Sequence, residues 1–377
     1  MRLTLSSRSV RHRFALLIMA SGSLLCLGFG PPVLTDGGTP ALRLFPHQVE
    51  ALSTLPLVPS ISAESALLAD VRSGMILFQE AAQESRPPAS TTKIMTALLA
   101  LEKGNLGDLV EVPADALVVG EASMGLVAGE QLTLEDLLYG LLLVSGNDAA
   151  LTVAIHVGGS VRDFVTLMND RAAELGMTRT HFANPHGLDE LDHFSSAADL
   201  LMLSRKALED PAFARIVSTS EVTVAGHYLA NTNELLSTYR GSDGVKTGTT
   251  DAAGECLVGS ATGEGGRAIV VVLASQDRYS DAKALLDYYA DNYLEQELAL
   301  PLNRLRDYED GQGRTWILGL GEQKATLLPR WQLPLVQVFR WIEADVQMAG
   351  GQPKGVARFT LGSSLLAEVP LTASPRE

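Results

Sequence analysis

The chain has 377 residues, 46% of them apolar and 19% charged, with a formal net charge of −15. Such a composition excludes a disordered chain and is long enough for one large core or two domains. The acidic balance argues against nucleic acid as a partner and gains nothing from an anionic membrane surface, although it also serves solubility.

Residues 1–30 carry Arg2, Arg8, Arg11 and Arg13 and no acidic residue, followed by an apolar run from Phe14 to Phe29 that Ser21-Gly22-Ser23 interrupts. This pattern predicts an export signal. The run is short for a membrane span, and removal is the favoured expectation. No clean small-x-small cleavage site follows, so a retained anchor is the alternative, with residues 14–29 tethering the chain to a membrane. Leu25 before Cys26 does not fit a lipidation signal. The second cysteine is Cys256, so no disulfide is expected within the mature chain, and export without disulfides suits a bacterial envelope enzyme. Residues 31–61 are rich in Pro, Gly, Ser and Thr without a period and read as a linker.

Ala66–Val71, Arg72-Ser73-Gly74 and Met75–Phe78 predict a β-hairpin. Pro87-Pro88 then stops the chain, and Ile94–Glu102 predicts a helix with an apolar face. Residues 103–132 are loop-rich. Thr133-Leu134-Glu135-Asp136 opens a helix as an acidic capping box, with Leu137, Leu138, Leu141 and Leu142 on its apolar face. Val144-Ser145-Gly146-Asn147 breaks that helix. Ala149–Val157 starts another, with Asn147 or Asp148 as candidate N-cap. Helices are further expected over Val161–Leu175 and Ser196–Leu208, the latter capped by Ser196. Val222–Val224 and Tyr228–Ala230 read as extended. Gly241–Gly244 turns into the strand Val245–Thr250, Glu255–Ala261 and Arg267–Ser275 form two more strands, and Ala282–Glu297 is a closing helix.

Strands, then helices, then strands predict an α/β (α+β) domain over 62–297. Its sheet takes its first and last parts from opposite ends of the domain, with a helical insert between. From 298 to 377 alternating pairs such as Val336/Val338 and Phe359/Leu361 predict a small C-terminal β-sandwich domain.

Ser90 lies at or next to a helix N-terminus, with Lys93 three residues on and on the same face. A neutral lysine there can take the proton of a serine hydroxyl and make it a nucleophile. Alone, the pair also reads as an N-cap and a solvated first-turn lysine. Two further motifs follow in order, Ser145-Gly146-Asn147 and Lys246-Thr247-Gly248. Alone, each is a helix-to-helix turn and a strand end. The ordered triple resembles that of penicillin-binding proteins and class A β-lactamases.

The segments Pro88–Leu98, Thr133–Ala150, Asn184-Pro185-His186-Gly187-Leu188 and Asp243–Gly248 resemble the serine-type D-Ala-D-Ala carboxypeptidases, the low-molecular-mass penicillin-binding proteins. The similarity runs from about 62 to 293, and the final β domain resembles that family's accessory domain more loosely. The resemblance implies a penicillin-binding/serine β-lactamase-like domain with a mainly antiparallel sheet. It implies a peptidase that removes the last D-alanine from peptidoglycan stem peptides ending in D-Ala-D-Ala, is acylated by β-lactams, and uses no metal or cofactor. Ser90 would attack the carbonyl and Lys93 would serve as base. Lowering its pKa from about 10.4 to neutrality costs about 4 kcal/mol, supplied by burial and a nearby cation such as Lys246. Ser145 would relay the proton to the leaving D-alanine and Asn147 would hold the substrate amide. Lys246 and Thr247 would hold the terminal carboxylate, with Arg278 near it. The backbone N–H groups of Ser90 and Thr249, beside Gly248, would form the oxyanion hole. Thr249 departs from the pattern, because many relatives carry something larger there.

The same resemblance leaves a D,D-endopeptidase acting on cross-links as an alternative, and a β-lactamase-like hydrolase as another. The class A deacylating pattern, a Glu with an Asn four residues on, is absent from 148–245, where Glu174, Glu190, Glu209, Glu221 and Glu234 all lack that Asn. A catalytically silent peptidoglycan-binding protein would not need all of these side chains. No Gly-x-Ser-x-Gly and no His-Glu-x-x-His occurs, and His186 and His193 read as loop residues. Some relatives carry a membrane-binding helix after the β domain. Here Ala373–Glu377 follow directly on the last apparent strand, so that helix is not expected.

Overall fold

The computed structural model describes residues 57–300, 306–310, 313–342 and 355–376. The leader at 1–30, the apolar run at 14–29 and most of the 31–61 linker lie outside the described residues. The chain divides into two compact units, with Leu57–Asp291 in one and the chain from Asn292 onward in the other.

The first unit opens with the hairpin β1 (Ser65–Asp70) and β2 (Ile76–Glu80). All of β1 is buried, as its nearly unbroken apolar run requires of a central strand. A 3₁₀ turn over Ala89–Thr92 leads into α1 (Lys93–Lys103). Two short paired strands follow, β3 (Leu109–Glu111) and β4 (Gln131–Thr133), within the stretch read as loop. Then come α2 (Leu134–Leu142), α3 (Asn147–Gly158), α4 (Val161–Glu174), α5 (Ala197–Ala207) and α6 (Pro211–Val217). A separate hairpin, β5 (Glu221–Val224) with β6 (His227–Ala230), precedes β7 (Ser242–Thr250), β8 (Gly254–Gly263), β9 (Gly266–Ser275) and α7 (Arg278–Asn292).

The main sheet has the order β2-β1-β9-β8-β7 and is antiparallel throughout. β1 pairs with β9, Ser65 opposite Leu273 and Asp70 opposite Ala268. The first two strands and the last three therefore share one sheet, and α1 to α6 are the insert between them. β7 is left at the sheet edge, beside the Ala89–Thr92 turn. From Lys93 to Ala100 every residue of α1 is buried, so this helix runs through the core rather than along its surface. Leu98 and Leu99 on it, and Leu137, Leu138 and Leu141 on α2, pack in one apolar cluster with Val258 and Val271 of the sheet. Each such leucine contributes about 1.5–3 kcal/mol on full burial.

Local signals set the helix ends. Thr133 and Asp136 form the reciprocal capping box of α2, and Ser196 caps α5 by accepting from the Asp199 N–H at 3.1 Å. Two expectations are corrected. The closing helix starts earlier, at Arg278, and ends at Asn292. Tyr293–Leu298 is a strand, β10, whose pairing with β13 (Lys324–Pro329) satisfies its backbone groups. Nor does Asn147 or Asp148 cap α3. The helix already starts at Asn147, with Gly146 in the cap position, which frees both side chains for longer-range bonds.

In the second unit, β11 (Asp307–Glu309), β12 (Thr315–Leu320), β14 (Val336–Ile342), β15 (Gly355–Leu361) and β16 (Ser364–Pro375) form a five-stranded antiparallel sheet in the order β11-β12-β16-β15-β14. The pair β10-β13 is a second, two-stranded sheet. Leu298, Leu318, Phe359, Val369 and Leu371 form a small core of their own.

Candidate active site

Ser90 sits in the 3₁₀ turn just before α1. The turn is entered through Ala89 at φ +48, a left-handed conformation that an alanine adopts only under tertiary constraint. The constraint is visible on two sides. A Cβ on Gly187 would lie 2.0 Å from the Ala89 carbonyl oxygen, and a Cβ on Gly248 would lie 2.9 Å from the Ser90 nitrogen. Only glycine lets the 184–188 loop and β7 close on the nucleophile turn from opposite sides. Gly187 is itself at φ +91, where a side chain is strained whatever the space. Gly187→Ala is therefore expected to cost about 3 kcal/mol or more in denaturant unfolding, with slowed acylation of Ser90 by a penicillin.

Lys93 is fully buried, one helical turn behind Ser90. Its Nζ lies 2.9 Å from Ser90 Oγ, 2.8 Å from Asn147 Oδ1 and 2.6 Å from the His186 carbonyl oxygen. Burial first, and then the charge of Lys246, hold its pKa well below the usual lysine range, against the opposing pull of Glu121 and Asp148. The neutral amine has two N–H donors and one lone pair. Asn147 Oδ1 and the His186 carbonyl can only accept, so they take both donors. The lone pair is left for the Ser90 hydroxyl, which can donate.

Asn147 is held at its other end, where Nδ2 donates to the Gly120 carbonyl at 2.9 Å. Asp148 beside it grips the same loop. It accepts from the Ser123 hydroxyl at 2.6 Å and from the N–H groups of Met124, Gly125 and Leu126 at 2.9, 3.0 and 3.1 Å. Burial pushes the Asp148 pKa up, but these bonds to the carboxylate outweigh it and leave the group below its ordinary value. Ser145 precedes α3 at φ +62, and its buried Oγ has no hydrogen-bond partner among the described residues. A donor-acceptor group left unmade in a folded protein is the arrangement expected of one reserved for a ligand.

Across the cleft, Lys246 is 1% exposed and donates to the Thr247 carbonyl at 2.9 Å. Burial, and then the charge of Arg278, bring its pKa down to about 7. The cleft, of about 400 Å³, is lined by Ser90, Ser145, Asn147, Thr247, Thr249 and Arg278 among others. The structure thus gathers all nine sequence-predicted residues at one place. Lys93 and Lys246 lie behind the cleft wall rather than on it. Arg278 lines the cleft, but most of its donors are engaged. It reaches the Gly248 carbonyl at 2.8 Å, the Cys256 carbonyl at 3.2 Å, Thr249 Oγ1 at 2.7 Å and the Glu255 carboxylate at 3.3 Å. It thereby fixes β7 where Gly248 and Thr249 face Ser90.

His186 and His193 stay in loops as read, but both are buried. His193 Nδ1 accepts from the Ala183 N–H at 3.0 Å, so its Nε2–H is the donor to Thr92 Oγ1 at 2.8 Å. Burial holds their pKa values low, at about 3 for His186 and about 4 for His193. The His193 ring thereby ties the nucleophile turn to the 183 loop, while the His186 ring accepts from the Leu188 N–H at 3.2 Å within its own loop. Sequence reasoning missed Asp148, Glu121, Thr232, whose Oγ1 lies 2.8 Å from Thr247 Oγ1, and Tyr279, whose hydroxyl donates to the Thr232 carbonyl at 2.8 Å.

Comparison with known proteins agrees with this geometry. The Peptidase S11 family, described as D-alanyl-D-alanine carboxypeptidase, matches residues 52–277. The D-alanyl-D-alanine carboxypeptidase DacC of Escherichia coli (strain K12) is 33% identical over 360 residues, covering 89% of this chain and 89% of that one. DacF of Bacillus subtilis (strain 168) is 37% identical over 244 residues, 61% of this chain, and the chain spans 63% of that relative's length. Among solved structures, penicillin binding protein 5 from Haemophilus influenzae superposes with a TM-score of 0.66 at 29% identity, covering 84% of this chain and 98% of that one. By fold, motif order and sequence, the chain belongs to the Peptidase S11 family of D-alanyl-D-alanine carboxypeptidases, which are serine hydrolases of the penicillin-binding-protein type.

Proposed function

We propose that this chain removes the terminal D-alanine from peptidoglycan stem peptides ending in D-Ala-D-Ala, through an acyl-enzyme on Ser90, and that β-lactams acylate the same hydroxyl. The carrying observation is the buried Lys93 amine at 2.9 Å from Ser90 Oγ, its other two contacts being groups that only accept. Lys93 takes the hydroxyl proton as Oγ bonds to the carbonyl carbon of the penultimate D-alanine. The Ser90 and Thr249 N–H groups receive the oxyanion, a contribution on the order of 3 kcal/mol for each donor. Ser145 passes a proton to the leaving amine as the C–N bond breaks, and water then hydrolyses the ester. The terminal carboxylate is held by the hydroxyls of Thr247 and Thr249, with Lys246 and Arg278 behind them supplying positive potential rather than the first contact. Export to the periplasm or another extracytoplasmic compartment, and a part in cell-wall remodelling, rest on the basic and apolar 1–30 segment. Among the described residues no helix is long and apolar enough to cross a membrane.

The test is to incubate the purified protein with a pentapeptide ending in D-Ala-D-Ala and measure free D-alanine. No release would remove the reading. The same assay has an expected pH profile. Lys93 is neutral well below its ordinary range, so the acid limb lies low. Lys246 must be protonated to attract the carboxylate, and its pKa in the free enzyme is about 7. Above pH 7, kcat/KM should therefore fall by about tenfold per pH unit. A flat profile through pH 9 would take Lys246 out of carboxylate recognition.

A further inference from the structure

Glu121 stands at the cleft mouth in a conformation that costs energy to hold. Its φ is +68, in the left-handed region that a glutamate rarely adopts. The loop around it is clamped from α3. Asn147 Nδ2 donates to the Gly120 carbonyl, the Asn147 N–H donates to the Ala122 carbonyl at 2.8 Å, and the Asp148 carboxylate gathers Ser123 to Leu126. The residues that shape the nucleophile's surroundings thus also fix Glu121. Its exposed carboxylate makes no hydrogen bond or ion pair among the described residues.

Glu121 lines two depressions at once. One is the catalytic cleft, where the buried Ser145 hydroxyl, 8% exposed as a residue, points in without a partner. The other is an adjoining hollow of about 480 Å³ lined by Glu121, Leu188, Asp189, Thr249, Thr250 and Asp251. β7 is an edge strand whose free backbone groups suit an extended peptide laid alongside. With the scissile carbonyl at the Ser90 and Thr249 N–H groups, the acyl part of the substrate continues along β7 toward Thr250 and Asp251. The residue before the D-Ala-D-Ala pair then reaches the hollow that Glu121 borders. Asp189 is already engaged, with Thr250 Oγ1 at 2.6 Å and the Ala252 N–H at 3.0 Å, and it anchors the end of β7. Glu121 and Asp251 border the hollow as carboxylates without a hydrogen-bond or ion-pair partner among the described residues, and of the two only Glu121 also lines the catalytic cleft.

We infer that Glu121 is a specificity-determining residue which selects substrates carrying a free primary amine on the side chain of the residue before D-Ala-D-Ala. This rests on the proposed function and names the substrate class within it. A charged amine gains a partner there, whereas its acetylated form offers one neutral N–H and no charge.

The test compares Nα-acetyl-L-Lys-D-Ala-D-Ala with the Nα,Nε-diacetyl peptide, for the wild type and for Glu121→Gln, by D-alanine release. The wild type should prefer the free amine by about fivefold in kcat/KM, the size of an exposed charge pair, and chiefly through KM. Glu121→Gln should bring the ratio close to one, and 1 M salt should reduce it in the wild type. Glu121→Asp, which keeps the charge and tolerates a left-handed backbone, should retain the preference in the same direction. The charge of Glu121 also acts on Lys93. That effect is common to both peptides and cancels in the ratio, as in a double-mutant cycle. Equal wild-type rates for the two peptides, or an unchanged ratio in Glu121→Gln, would overturn the inference while leaving the proposed function intact. Absence of release from both peptides would instead strike the proposed function itself.

Discussion

Replacing Ser90 by alanine abolishes covalent labelling by a fluorescent penicillin and lowers D-alanine release by on the order of 10⁶-fold, the scale seen when a serine nucleophile is removed. The β-lactam amide mimics the D-Ala-D-Ala amide, so its acyl group must end on the attacking oxygen. In this cleft the candidates are few. Ser145 also carries a hydroxyl, but the Lys93 amine contacts Ser90, Asn147 and His186, not Ser145. The fold should survive, because the Ser90 hydroxyl has a single hydrogen-bond partner among the described residues, and losing a bond of that kind costs about 1 kcal/mol. Intact-mass analysis after penicillin treatment, beside a thermal melt, separates loss of the nucleophile from loss of the fold. Stoichiometric labelling of a folded Ser90→Ala protein would place the nucleophile elsewhere.

The parts of this arrangement that were legible in the sequence are those carried by side-chain type at short spacing. Ser90 and Lys93 are one helical turn apart, Thr133 and Asp136 sign a helix start, and Lys246-Thr247-Gly248 lies in a strand with apolar neighbours. What escaped is carried by backbone atoms or by distant partners. The His186 carbonyl that holds Lys93 could come from any residue type, so nothing at position 186 marks it. Asp148 reads as a helix cap because caps are local. Its real partners lie 22 to 25 residues upstream, in a loop that has no periodic signal. Glu121 is invisible for the same reason: its place at the cleft depends on that loop being clamped from α3. The strand at Tyr293–Leu298 looks helical in sequence because Ala282–Asn292 is genuinely helical and the pattern has no Gly or Pro stop before the strand begins. Pairing with Lys324–Pro329, about 30 residues on, decides the change.

Replacing Lys93 by arginine should slow acylation by about 10³–10⁴-fold while the protein remains folded. The substitution keeps a positive charge near Ser90 but removes the lone pair, since a guanidinium does not deprotonate near neutral pH. The distinction matters because two roles fit the geometry of a lysine at this distance. As a base, Lys93 must be neutral, and its burial together with the charge of Lys246 favours that form. As an electrostatic support it would have to be charged, and Arg would serve as well. Arginine is larger, and Lys93 is fully enclosed, so overpacking of about 1–3 kcal/mol is expected and must be measured by a melt. Lys93→Met supplies the second arm, because it fills a similar volume with neither charge nor a basic lone pair. If Lys93 is the base, Arg and Met variants lose acylation to a similar extent, since both lack the proton acceptor. If the charge is what counts, Arg labels at a rate near wild type and only Met fails. That second outcome would assign the Ser90 proton to another group and turn the Lys93–Asn147–His186 cluster into scaffolding for the cleft.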